Sequence, residues 1–423
     1  MNLKIATVIS IMLIFSGCSS TNTSNGTDSS TNPTVVPSTQ PIIEPSAAPT
    51  AEPTAAIDPI AEKIADMTLD EKIGQMVLVG LEGTSIQDHA KEMIDSYHVG
   101  GFILYKDNIT GASQTLKFLN QLKQANQGNQ APLWLSIDQE GGKVSRMPDE
   151  FKKLPPAADV GKAANANYTN LIGQALGEEV RALGFNMDFA PVLDINSNPK
   201  NPVIGNRSFG AKADTVITHG IETMKAIQSK QVAAVVKHFP GHGDTSVDSH
   251  LDLPVVNKTL DELKAFELLP FEEAIQQGAD AIMIAHLLIP KIDPDYPASL
   301  SKKMITGLLR EELDYDGVVI TDDMTMGGIT EHFNVGEAAV DSVQAGSDII
   351  LIGHDYATQI SVLKSLKQAA RDGVLTKERM DQSVYRILSL KDKYQLKDNA
   401  TASVDIEAVN HHIQSALQAK KQK

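Results

Sequence analysis

The densest chemistry in the sequence lies between Lys237 and His250, which read KHFPGHGDTSVDSH. His238 and His242 are four residues apart, a spacing that on a helix would put both on one face and suit a metal ion. Pro240 and Gly241 stand between them. Those residues break a helix, so the segment reads as a loop and a catalytic metal is not expected. A second reading has some of these histidines, His242 among them, satisfying hydrogen bonds in a buried loop. A third is acid/base work. Asp248 and His250 are two apart in a Gly-flanked loop. A carboxylate beside an imidazole orients the ring, fixes its tautomer and supports the cationic form that donates a proton. A proton donor alone does not break a strong bond. A second carboxylate must attack or stabilise the reacting carbon, and Asp322 is placed to do so. An acid and a carboxylate facing one bond suggest glycoside hydrolysis. If His250 is not the donor, Glu140 is the next candidate.

These residues stand at the ends of apolar runs. The runs are Met76–Gly80, Gly101–Tyr105, Leu133–Asp138, Phe185–Val192, Val232–Phe239, Ala281–His286, Gly317–Asp322 and Asp348–Gly353. Most are unbroken Val, Ile, Leu, Met and Ala, which means burial on both faces, as in a parallel sheet covered by helices. Between them, Thr215–Lys230, Leu260–Gln277 and Val335–Ala345 carry apolar residues at three- and four-residue spacing. Eight such units predict an α/β fold, a (β/α)8 barrel. An open doubly wound sheet is the alternative, but no Gly-rich dinucleotide turn follows the first run. Asp138, Asp188, Lys237-His238, His286 and Asp322 end separate runs. In a barrel those ends meet on one face, where active sites form.

The chain has 423 residues, of which 42% are apolar and 21% charged, with a net charge of −16. That balance excludes wholesale disorder, and the acidity argues against a phosphate-gripping nucleic-acid binder. Cys18 is the one cysteine. The expectation is therefore no internal disulfide, no thiolate nucleophile and no cysteine-based zinc site. Residues 1–17 combine Lys4 with a short apolar stretch, as a secretory signal does. Ser16-Gly17-Cys18 resembles a bacterial lipobox, so Cys18 is the expected lipidation site. From 18 to 56 the chain is mostly Ser, Thr, Asn, Pro and Ala, with prolines every four residues from Pro33 to Pro53. It reads as a disordered tether. The barrel is expected over 57–396, and 397–423 as a peripheral helical tail with a frayed tip.

KHFPGHGDTSVDSH closely resembles the signature of the β-N-acetylglucosaminidases, also called β-N-acetylhexosaminidases, of glycoside hydrolase family 3. Ile137–Arg146 (IDQEGGKVSR), Phe189–Asp194 (FAPVLD), Ile204–Phe209 (IGNRSF) and Gly317–Met326 (GVVITDDMTM) agree with that family, in order along the expected barrel. The resemblance implies a retaining exo-hydrolase that removes terminal N-acetylglucosamine. It puts the nucleophile at Asp322, the first aspartate of TDD, and the acid/base in an Asp248-His250 dyad. It also implies substrate contacts from Asp138, Arg146, Arg207, Lys237 and His238. Each of these side chains is equally suited to a structural ion pair, and Asp138 and Lys237 can pair across neighbouring strands.

The resemblance further implies no cofactor and no metal. The stretch after Leu396 is too short for the second α/β domain many family members carry, which agrees with a subgroup that keeps its acid, a histidine, in the barrel. The expected partners are N-acetylglucosamine-containing fragments of the cell wall and, through the lipid anchor, a membrane at its extracytoplasmic face. The expected state is a monomer. Alternatives within the family are a β-glucosidase or β-xylosidase, or an N-acetylglucosaminide phosphorylase. Outside catalysis the alternative is a sugar-binding lipoprotein on a decayed barrel.

Overall fold

A computed structural model describes residues 58–246, 248–249 and 252–420. The leader, the proline-rich stretch, Cys18 and His250 lie outside the described residues. Those described fall in one compact unit, 57–423.

Eight parallel strands form the predicted barrel. They are β1 (Val77–Gly80), β2 (Gly101–Leu104), β3 (Trp134–Ile137), β4 (Met187–Asp188), β5 (Ala233–Phe239), β6 (Ala281–Ile284), β7 (Val318–Thr321) and β8 (Ile350–Ile352). Neighbours pair in chain order from β1 to β7, and β8 pairs with β1. A parallel bridge between Ile320 and Ile349 joins β7 to the segment entering β8 and closes the ring. The strands are buried along their whole lengths. With helices outside and packed side chains within, both faces are covered, which is why the sequence shows continuous apolar runs.

All eight runs become strands, with three local differences. The fourth is much shorter than its apolar run, with Val192 adding one bridge to Lys237 beyond it. Pro191 falls between and has no N–H to give the ladder. The helical pattern at 260–277 splits into Leu260–Lys264 and Leu269–Gln276, with Pro270 at the start of the second piece. A proline there supplies the helix's first turn and cannot continue an earlier one. Between β6 and β7 a two-stranded antiparallel ribbon, Leu288–Ile289 with Asp293–Pro297, stands where the barrel pattern predicts a helix alone.

Helices Ala166–Leu183 and Ala213–Ser229 pack closely. A Cβ on Gly173 would come within 2.7 Å of the Ala226 Cβ, so glycine sets their separation. The predicted tail is a helix, Ile406–Ala419, which buries Val409, Ile413, Ala416 and Ala419 and packs on Ala166–Leu183. Before it, the Asp398 carboxylate accepts from the Asn126 amide (2.6 Å) and the Leu133 N–H (3.2 Å), at the entrance to β3.

Opposite the site end, Asp348 is fully buried. It accepts from Arg310 (2.5 Å), Ser383 (2.7 Å) and the Val319 N–H (3.0 Å), with Arg379 and Arg386 at 3.4 and 3.5 Å. Burial opposes its charge, but the three guanidinium groups prevail and hold the carboxyl below its usual range. Such a group stabilises the fold above its unfolded-state value near pH 4, and the contribution is lost as pH falls through the folded value. Asp348→Asn leaves the cations uncompensated and is expected to cost about 3–5 kcal/mol. Urea unfolding at pH 7 checks this.

Candidate active site

The C-terminal strand ends surround a cavity of about 440 Å³. Asp138, Arg146, Arg207, Lys237, His238, Asp248 and Asp322 all line it. Residues spread over 185 positions of sequence, from 138 to 322, thus meet in one place.

Its centre is an ion network on β3, β5 and the loop after β4. The Lys237 ammonium, only 2% exposed, lies 2.6 Å from Asp138 and 2.8 Å from Glu140. Glu140 also takes a bidentate pair from Arg207, Nε at 2.8 Å and Nη2 at 2.7 Å. Burial works against charge on Glu140, Arg207 and Lys237. The pairing overcomes it: Glu140 is held far below the usual carboxylate range by Lys237 and Arg207, and Lys237 is raised by Asp138 and Glu140. Glu140 is therefore locked as an anion and has no proton to give. This rules it out as the reserve acid that its place in the sequence had suggested.

Asp138 and Lys237 do pair, though not from neighbouring strands: β4 lies between β3, which Asp138 follows, and β5, which carries Lys237. Both also face the cavity, and Asp138 keeps 18% of its side chain exposed. Beside them Arg207 lies 3.4 Å from His238 Nε2. The other ring nitrogen, Nδ1, donates to Asp194 at 2.6 Å. The guanidinium has no acceptor, so Nε2 accepts, which fixes the His238 tautomer. Asp194 is wholly buried and also accepts from the His242 N–H at 2.7 Å. Burial raises its carboxyl, and His238 more than reverses that.

His242 fulfils the buried-loop reading. Its Nδ1 meets Thr245 Oγ1 at 2.7 Å and its Nε2 meets Ser249 Oγ at 3.1 Å. Burial and the neighbouring His238 push its pKa down to about 4, so the ring is neutral at pH 7. Its function is mechanical. It ties down Ser249, whose carbonyl accepts from the Gly328 N–H (3.1 Å), and so anchors the loop carrying Asp248.

Asp322 follows β7. Its N–H donates to the Ile284 carbonyl (2.9 Å), and its Oδ1 accepts from the Asp323 N–H (2.8 Å). Asp323 meets a different set of donors: Thr325 Oγ1 (2.7 Å), Thr325 N–H (2.9 Å), Gly353 N–H (2.9 Å) and the Tyr105 hydroxyl (3.3 Å). Its carbonyl meets His286 Nε2 at 3.1 Å. A Cβ on Gly353 would come within 2.3 Å of Asp323, so glycine is required for this close approach. Both aspartates line the cavity, and Asp323 is braced by the donors of Thr325, Gly353 and Tyr105.

Beneath Asp138, Gln139 organises the loop. Its N–H donates to Asp188 (2.9 Å), its amide donates to Glu179, and its oxygen accepts from the Arg146 N–H (2.9 Å). Burial pushes both carboxyls, Asp188 and Glu179, well up from the usual carboxylate range. Sequence reading had not singled out Tyr105, Gln139, Glu179 or His354, and had set Asp323 aside in favour of Asp322. Tyr105 ends an apolar run, which was a usable signal. Glu179 lies in a helix, and nothing local marks it.

The sequence profile of the Glycosyl hydrolase family 3 N terminal domain matches residues 68–390. A β-hexosaminidase A of Pseudoalteromonas piscicida is 36% identical over 335 residues, 73% of this chain and 56% of that protein, so this chain spans just over half its length. The β-hexosaminidase LpqI of Mycobacterium tuberculosis is 33% identical over 329 residues, 76% of this chain and 82% of the relative. The solved family 3 β-N-acetylglucosaminidase of Paenibacillus sp. str. FPU-7 superposes with a TM-score of 0.79 at 42% identity, covering 83% of this chain and 68% of that one. The chain belongs to glycosyl hydrolase family 3 and is a glycoside hydrolase.

Proposed function

We propose that the protein is a retaining exo-β-N-acetylglucosaminidase that removes terminal N-acetylglucosamine from cell-wall fragments. The observation that carries this reading is the shared cavity: Asp322 and Asp248 line the same space as the Asp138–Lys237–Glu140–Arg207 network. Asp138 keeps acceptor capacity for sugar hydroxyls, while Lys237, Arg207 and Arg146 offer fixed donors. The named activities of the relatives support the choice of sugar.

In this mechanism Asp322 attacks the anomeric carbon while the Asp248-His250 dyad protonates the departing oxygen. A covalent glycosyl-enzyme forms. The imidazole, now neutral, takes a proton from water as that water attacks the same carbon, releasing the sugar with its β configuration and regenerating Asp322. Asp248 is the positioning partner of the ring. The site works outside the cytoplasm on a lipid anchor at Cys18, joined to the barrel by the stretch 18–56. Among the described residues, no helix is long and apolar enough to cross a membrane.

The deciding experiment compares chromogenic N-acetylglucosaminide and glucoside substrates. The N-acetylglucosaminide is expected to be cleaved by a wide margin, and a preference for glucoside refutes the assignment. Asp322→Ala is expected to remove activity by several orders of magnitude in a folded protein. A slow fluorosugar trap should label the peptide on Asp322, not Asp323, and early proton NMR should show the β anomer first.

Replacing His250 separates the two steps. With a good leaving group, His250→Ala should retain glycosylation and accumulate the glycosyl-enzyme as a burst. With a poor leaving group there should be no burst and a far larger loss, because departure then needs the proton. Equal losses for both would remove His250 from the acid's role.

Deleting residues 1–56 is expected to leave turnover of small substrates unchanged. Loss of folding on circular dichroism would place that stretch within the fold.

A further inference from the structure

Among the described residues, four donors reach the Asp323 carboxylate. Three of them, the Thr325 hydroxyl and the N–H groups of Thr325 and Gly353, go to Oδ1. The fourth, the Tyr105 hydroxyl at 3.3 Å, goes to Oδ2. His354 Nε2 lies 3.8 Å from that same oxygen, beyond hydrogen-bond reach. The meeting of phenol and carboxylate is built into the backbone. A Cβ on Gly353 would come within 2.1 Å of the Tyr105 hydroxyl and 2.3 Å of Asp323 Oδ2, so both groups occupy space that a side chain would fill. Tyr105 is held from its own side as well. It follows β2, and its ring stacks on His354 with centroids 4.6 Å apart at 23°. Burial, and after it the carboxylates of Asp323, Asp138 and Asp322, push its pKa well above the ordinary value, so the phenol keeps its proton and donates.

Asp323 reaches the site through its backbone too. Its carbonyl meets His286 Nε2 at 3.1 Å, and its N–H donates to Asp322 Oδ1 at 2.8 Å. One residue thus ties the β7 and β8 loops together and touches the carboxylate to which the mechanism assigns the attack. Three bonds to Oδ1 alone would let the Asp323 carboxylate pivot about that oxygen. A donor on Oδ2 removes the pivot and steadies the peptide N–H that meets Asp322. Steadiness matters there, because a nucleophile displaced by about 1 Å loses on the order of 100-fold in rate. Tyr105 also lines the catalytic cavity, so direct contact with the sugar is the competing role. The two roles differ in what they control: a sugar contact sets affinity, and a hold on Asp323 sets the rate of attack.

We propose that Tyr105 is a positioning residue for the nucleophile: by holding Asp323 Oδ2 it steadies the Asp323 N–H that orients the Asp322 carboxylate. The proposal rests on the reading of Asp322 as nucleophile given above.

Tyr105→Phe removes one oxygen and keeps the ring with its stack. Inactivation by a fluoro-N-acetylglucosaminyl fluoride separates binding of the trap (KI) from formation of the covalent adduct (ki). Tyr105→Phe should lower ki by roughly 10-fold and leave KI within about twofold. Asp323→Asn should lower ki as well, and adding Tyr105→Phe to it should cost little more, because the two act through one contact. A wild-type ki in Tyr105→Phe overturns the proposal while the nucleophile reading stands. A rise in KI that accounts for the loss also overturns it, since Tyr105 is then a sugar contact, and so do losses that add in the double variant. If Asp323→Asn does not fold, the split between ki and KI in Tyr105→Phe decides alone. If the adduct forms on a residue other than Asp322, the nucleophile reading fails and the proposal with it.

Discussion

The site is organised around one buried cation. An ammonium as enclosed as Lys237 cannot remain charged in a protein interior without anions in direct contact. Asp138 and Glu140 supply them, at 2.6 and 2.8 Å. Glu140 then requires Arg207, and Arg207 abuts His238, whose tautomer Asp194 fixes. Each group meets a need created by the one before it. The outcome is a rigid surface of donors and acceptors with little freedom to lose when a sugar arrives.

The charge balance of this network also separates roles among the carboxyls. Glu140 is saturated by two cations and serves as structure. Asp188 and Glu179 are fully buried, and burial pushes their carboxyls well up. Asp323 is consumed by backbone and hydroxyl donors at the junction of β7 and β8. These four acidic side chains stand within or under one barrel end, and environment rather than residue type decides what each does.

A closed parallel barrel suits this division of labour. Its strand ladder fixes where Asp138, Lys237 and Asp322 emerge, because each follows or ends a strand paired on both sides. The loops carry the adaptable parts. Ser249, held by the neutral His242 and by Gly328, ties the Asp248 loop to this frame. The β8 loop brings His354 to the cavity, where its ring stacks on Tyr105.

The fold class was legible in the sequence because a two-sided buried strand leaves a local mark, an unbroken apolar run, and all eight runs became strands. The cavity-lining residues were legible for a related reason: charged residues at the ends of such runs must converge once the barrel closes, and the motifs around Asp138, Arg207, Lys237 and Asp322 carry a family likeness. The partnerships among them were not legible. Glu140 resembled a possible acid in the sequence and is a doubly paired anion in the fold, since its partners lie 67 and 97 positions away. Likewise the donors that brace Asp323 could not be read from the sequence, nor could Tyr105 be matched with His354. Residue type and local pattern set which groups reach the face. Ionisation, tautomer and orientation depend on burial and on charges distant in sequence, and only the tertiary structure brings those together.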